Sequence, residues 1–182
     1  MKTIDRYKHF GAWYQQSREL IRKRYGRNAN LFSRLLAATS PRKRVRANWN
    51  LADRILTDVL SGRAIDYTGT MPCHRPNIDN AINGRELSGP KVRAFARNLT
   101  GDYNAVTVDV WILKYFNKKI ASPKIYQELS DRITRLAERY GLRPAEMQAI
   151  IWSIVRDRHG RSPRGFYQDG YQTEFEFGGS VK

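Results

Sequence analysis

One cysteine, Cys73, is all that the 182 residues contain. That excludes an intramolecular disulfide and any zinc or iron–sulfur site built on four thiolates, and it fits a reducing compartment. Long apolar runs are missing too. Nowhere does the chain offer the roughly 18 consecutive apolar residues of a membrane span, and its start, MKTIDRYKHF, has no signal-peptide core. A soluble, cytoplasmic protein is therefore expected. Acidic residues are scarce: 17 Asp and Glu face 33 Lys and Arg, giving a net charge of +16 and a pI near 10.3. Such an excess repels itself in a compact fold unless a polyanion relieves it, so DNA is the expected partner, gripped through its phosphates. A membrane surface is not, because no segment is basic on one face and strongly apolar on the other.

What is present reads as all-α, a single helical domain over residues 1–160 followed by a different kind of segment at 161–182. Apolar residues at three- and four-residue spacing predict a first helix over 5–24 (Phe10, Trp13, Tyr14, Leu20, Ile21), with Gly26 as its stop. Leu31, Phe32, Leu35 and Leu36 mark a short second helix. Ser40-Pro41 then reads as N-cap and first residue of a third, which carries Val45, Trp49, Ile55 and Leu56 inward. Arg42, Lys43, Arg44 and Arg46 crowd its first turn, where the helix dipole disfavours cations. Phosphate contact would favour them there, and a solvated basic turn is the alternative. Residues 61–76 carry Gly62, Gly69, Pro72 and Pro76 without periodicity and read as a long loop. Its Cys73-His74 has no second ligand pair nearby, so no metal is expected. A brief helix over 77–82 follows. Later, Ser122-Pro123 opens a helix that Gly141 ends. Arg143-Pro144 opens the last one, apolar on most of its circumference and so expected at the centre. The 161–182 segment, Gly-rich with Phe and Tyr at alternate positions in 171–177, reads as an extended arm, packed on the domain or loose until something binds.

The stretch 87–116 concentrates the chemistry. Ser88-Gly89-Pro90 is a turn at a helix mouth, where unpaired backbone N–H groups form a phosphate seat. The helix after it buries Val92, Phe95, Ala96 and Leu99 while Lys91, Arg93 and Arg97 face out. Val106-Thr107-Val108 then delivers Asp109 to the start of another helix. On local grounds Asp109 is an N-cap and Lys91 a phosphate contact. A carboxylate and an amine at two helix mouths can also do chemistry, and both roles can hold together.

Gly89-Pro90-Lys91 followed by Val106-Thr107-Val108-Asp109 resembles the helix-hairpin-helix DNA glycosylase superfamily, endonuclease III-like but without its iron–sulfur cysteines. Asp109 follows Lys91 by 18 residues, the spacing of that family. Residues 35–40, ending in Thr39-Ser40, resemble its segment before a DNA-probing loop, and Ile150-Ile151-Trp152 its late apolar helix. Two positions depart from the pattern: Leu87 stands where the first hairpin glycine belongs, and Trp111 replaces a histidine two residues after the aspartate. The resemblance implies a helix-hairpin-helix glycosylase-like bundle acting on a base flipped out of double-stranded DNA. Lys91 would then attack the sugar as a free amine, its pKa depressed by the helix N-terminus amid Arg93 and Arg97. Asp109 would stabilise positive charge on the sugar or orient the nucleophile, and Tyr103, Trp111 and Tyr115 would receive the base. No cofactor is expected. Two rivals stand beside this reading. One is a viral-type base-hypermodification transferase of the α-glutamyl/putrescinyl thymine pyrophosphorylase group, on the same scaffold. The other is a helix-hairpin-helix module that binds DNA without turnover.

Overall fold

A computed structural model describes residues 2–119 and 122–161, and the expected arm beyond Arg161 lies outside the described residues. Among these the fold is all-α, with no strand. The helices are α1 (Lys2–Tyr7), α2 (Trp13–Tyr25), α3 (Ala29–Thr39), α4 (Val45–Leu60), α5 (Arg75–Ile82), α6 (Pro90–Thr100), α7 (Val110–Tyr115), α8 (Pro123–Arg139) and α9 (Pro144–Arg158).

Where one first helix was expected, two appear, separated by a 3₁₀ turn over Lys8–Ala12. The 3₁₀ turn packs on α9. A Cβ added to buried Gly11 would sit 3.5 Å from Ile150 Cδ1 and 3.6 Å from Glu146 Cβ. The tighter turn lets the backbone there lie against α9, a trade that the apolar periodicity does not reveal. A second departure lies at Ser40-Pro41. Ser40 is the C-cap of α3, not the N-cap of α4, which starts at Val45 with Arg44 in extended conformation ahead of it. Between them Arg42 takes φ = 57°, a left-handed turn that ends any helical path from Pro41. Arg42, Lys43 and Arg44 therefore stand on a loop, and only Arg46 lies in the first turn of α4. The brief helix expected over 77–82 starts slightly earlier, at Arg75.

Two apolar clusters fill the interior. The first joins α2–α6 around Phe32, Leu35, Leu36, Trp49, Ile55 and Leu99. The second joins α1, the 106–113 segment, α8 and α9 around Ile112, Leu129, Ile133 and Ile151. Helix α9 belongs to both, offering Ala145 and Ala149 to the first and Met147, Ile150, Ile151 and Ile154 to the second. This is the central position that its all-round apolar sequence required. Its start is fixed by Glu146, whose carboxylate accepts the Arg143 N–H at 2.8 Å. Polar links also cross from α2 to α9: Tyr14 donates to Gln148 Oε1 at 2.7 Å and Gln15 to Glu146 Oε1 at 3.1 Å.

Burial dictates a contrast in stability. Truncating Ile150, fully buried in the second cluster, to Ala should lower unfolding free energy by about 2–5 kcal/mol in urea titrations. Leu60→Ala, at a side chain 56% exposed, should stay within about 0.5 kcal/mol.

Candidate functional site

The seam between the two clusters opens into a cavity of about 100 Å³. Extended backbone builds one wall. Along 106–109 successive side chains alternate, so Val106 and Val108 enter the second cluster while Thr107 and Asp109 face the cavity. Tyr126 of α8 pins that strip, donating to the Val106 carbonyl at 2.7 Å and accepting from Val108 N–H at 3.3 Å. Helix α6 supplies Lys91 and Phe95, one turn apart on one face; α9 supplies Gln148, Ala149 and Trp152; α2 supplies Trp13 and Tyr14. Ser40, Lys43, Val45 and Asn48 close the remaining side.

Lys91 and Asp109 thus line one cavity. Asp109 is the N-cap of α7, its Oδ1 accepting from Trp111 N–H at 2.9 Å and Ile112 N–H at 3.1 Å. Its Oδ2 accepts from Trp152 Nε1 at 3.1 Å. Burial pushes the Asp109 carboxyl above the usual carboxylate value, against the opposing pull of these donors and of Lys91. Lys91 Nζ donates to Ser40 Oγ at 3.1 Å, and burial lowers its amine below the ordinary lysine value while the Asp109 charge opposes that drop. The cause differs from the one expected. Desolvation, not Arg93 and Arg97, depresses Lys91: those arginines are exposed and turned to acids, Arg93 to Glu86 at 3.3 Å and Arg97 to Asp102 at 2.5 Å.

The other expected residues divide. Ser40 and Lys43 line the cavity, while Arg42, Arg44 and Arg46 are exposed beside it. Thr39 cannot touch DNA from its present position. It is fully buried, its hydroxyl 2.8 Å from the Leu35 carbonyl and 2.7 Å from Asn48 Oδ1. Ser88, Gly89 and Pro90 are exposed on the turn between α5 and α6. Gly89 caps α6 at φ = 85°, a conformation that favours glycine, and no side chain caps the amides behind it. Asn77 clamps this turn, accepting from Ser88 N–H at 2.6 Å and donating to its carbonyl at 3.1 Å.

None of Tyr103, Trp111 and Tyr115, expected to receive the base, lines the cavity. The Arg143 guanidinium covers Tyr103 at 4.2 Å, Trp111 lies among Lys114, Arg156 and His159, and Tyr115 packs on Phe116. Trp13, Tyr14, Phe95 and Trp152 are the aromatic walls instead. Their periodicity marked Trp13, Tyr14 and Phe95 as inward-facing, but spacing within a helix cannot tell core from cavity. Gln148 was missed as well: its Oε1 takes the Tyr14 hydroxyl, which turns its amide N–H₂ into the end able to donate into the cavity.

His74 acts as a latch. Fully buried, it accepts the Met71 N–H on Nδ1 at 3.2 Å and meets the Pro41 carbonyl through Nε2 at 3.0 Å, the pattern of a neutral imidazole. It thereby fixes the basic loop to the 61–74 loop, with both nitrogens used. Among the described residues no cluster of three or more His, Cys, Asp or Glu could hold a metal, and no helix is long and apolar enough to cross a membrane.

Fold and cavity define an all-helical protein with a lysine and a capped carboxylate in an aromatic-walled cleft. It belongs to a family of unknown function (DUF7178), whose model matches residues 4–159. No curated protein and no solved structure matches the chain.

The two buried charges set a pH dependence. The folded state holds the Asp109 proton more tightly than the unfolded chain does, so this group's contribution to stability is present at low pH and is lost as pH rises through its folded value. Lys91 acts oppositely: its ammonium costs stability below its folded value, and the cost fades as pH rises towards 10.5. Side-chain NMR titration should place Lys91 below free lysine and Asp109 above free aspartate. In Asp109→Asn the Lys91 amine should titrate lower still, and an unchanged Lys91 would refute the coupling.

Proposed function

We propose that this protein acts on DNA as an enzyme similar to the helix-hairpin-helix DNA glycosylases, working on a base swung out of the duplex. The observation that carries the reading is the meeting of Lys91 and Asp109, from the mouths of two different helices, in one aromatic-walled cavity. The net charge of +16, the cationic loop around Arg42–Arg46 and the uncapped start of α6 supply the phosphate contacts that such a substrate needs. Trp13, Tyr14, Phe95 and Trp152 offer faces and edges for a base.

The groups suit the chemistry. Burial of Lys91 raises the share of free amine, the nucleophilic form. Its Nζ attacks C1′ of the sugar, the glycosidic bond breaks, and the base leaves with the bonding pair and takes up a proton. Loss of the amine proton and opening of the sugar ring give a Schiff base, from which β-elimination breaks the 3′ C–O bond. Asp109 holds three hydrogen bonds from the protein, so it serves as a fixed negative charge facing the cationic sugar rather than as a proton acceptor. At about 100 Å³ the cavity is smaller than the ~150 Å³ that takes benzene in an apolar core, so a whole base enters only as the lining shifts. Lys43 lines the cavity from the exposed loop between α3 and α4, tied to the Gly69 carbonyl at 2.5 Å, and is the natural part to move.

Incubation with duplex DNA carrying abasic sites or a panel of damaged bases, with borohydride present, should trap a covalent adduct that Lys91→Ala abolishes. Affinity should fall steeply with salt, whereas a flat dependence would remove DNA from the proposal. DNA binding with neither base release nor adduct on any substrate would overturn the glycosylase reading. A mass change of an intact nucleoside would then speak for the transferase. Binding that survives Lys91→Gln and Asp109→Asn without turnover would speak for a DNA-binding module.

A further inference from the structure

Helices α3 and α6 run antiparallel: Ser40, just past the end of α3, meets Lys91 at the start of α6, whereas Ala29 and Ser33 share a second cavity with Leu99 and Thr100 at the end of α6. That cavity, about 250 Å³, lies roughly 14 Å along α6 from Lys91, taking 1.5 Å per residue. Its lining holds three arginines, Arg18 and Arg22 one turn apart on α2 and Arg27 on the 3₁₀ turn Gly26–Asn28, and no carboxylate.

Cations one turn apart on a helix repel, so an arrangement like this calls for an anion. No carboxylate among the described residues pairs with them. Among the described residues none of the three arginines makes an ion pair, side-chain hydrogen bond or ring contact. Asp53 is committed to Arg24 and Tyr25 and Asp102 to Arg97, and Glu19, exposed between Arg18 and Arg22 on α2, forms no ion pair with any of the three. Arg18 also rests on backbone at the end of α6. Gly101 caps the end of α6 at φ = 112°, which favours glycine, and the guanidinium rests over it: a Cβ there would fall 2.7 Å from Arg18 Cζ and 2.8 Å from Nη1.

We propose that this cavity binds a phosphate group, held by the Arg18, Arg22 and Arg27 guanidiniums, at a site separate from the Lys91–Asp109 cleft. Planar guanidiniums bind tetrahedral oxyanions through paired N–H donors, and three of them around a polar cavity suit a phosphate more than a single carboxylate. The group belongs either to a small ligand such as pyrophosphate or to the DNA backbone. The inference does not depend on what Lys91 does.

Isothermal titration of the full chain with pyrophosphate, against chloride at equal ionic strength, separates the sources when repeated with duplex DNA. Saturable pyrophosphate binding should weaken about tenfold for each guanidinium removed in Arg18→Gln and Arg22→Gln, and should survive Lys91→Gln. Should pyrophosphate fail to bind while the arginine variants lose DNA affinity and salt slope, the phosphate is that of DNA. Arg27→Gln, exposed on its turn, gives the same reading where the α2 variants do not fold. Pyrophosphate and DNA binding both unchanged in the folded variants would overturn the site.

Discussion

The cavity depends on how one carboxylate is held. Asp109 starts α7, and the same side chain reaches across the seam to Trp152 of α9. Two backbone amides and an indole N–H fill its oxygens, so the charge is fixed in direction although burial opposes it. Remove it and α7 loses its cap, Trp152 loses its partner and Lys91 loses the charge that sustains its protonation. Local structure, packing and electrostatics meet in a single residue.

Burying an amine and a carboxylate near one another is not a good way to stabilise a fold, since desolvation competes with the attraction between them. Here desolvation is the larger influence on both groups, and each is moved towards its neutral form. The proposed function gives both groups a use for that shift. The scaffold around them is correspondingly firm: Tyr126 pins the strip that carries Asp109, and His74 ties the loop that carries Lys43.

Helix faces, the central place of α9, the Ser122 and Asp109 caps and the kinship of Lys91 with Asp109 were legible from periodicity, cap chemistry and spacing. What was not legible has physical reasons. Ser40-Pro41 carries a helix-start signal, but the backbone turns left-handed at Arg42 and the signal goes unused. Tyr103, Trp111 and Tyr115 are near Asp109 in sequence, yet the walls of the cavity come from α2, α6 and α9, brought there by tertiary packing. Nothing in the spacing of Arg18, Arg22 and Arg27 marks them as a group; their convergence on a cavity depends on α3 and α6 lying beside them.

Leu87 is the sharpest departure from the pattern that the hairpin resembles, and packing explains how the turn manages without a glycine there. Its side chain is buried in the first cluster, 3% exposed, and anchors the turn from beneath. Asn77 holds the next residue by its amide and its carbonyl, so the backbone path is set by a side-chain clamp where conformational freedom would otherwise be needed. Only Gly89 takes a positive φ between Leu87 and α6, and it does so at the helix mouth, where the absence of a side chain leaves the amides of the first turn open. The turn is thus held by one glycine, an apolar anchor and a side-chain clamp, with the start of α6 left uncapped by any side chain.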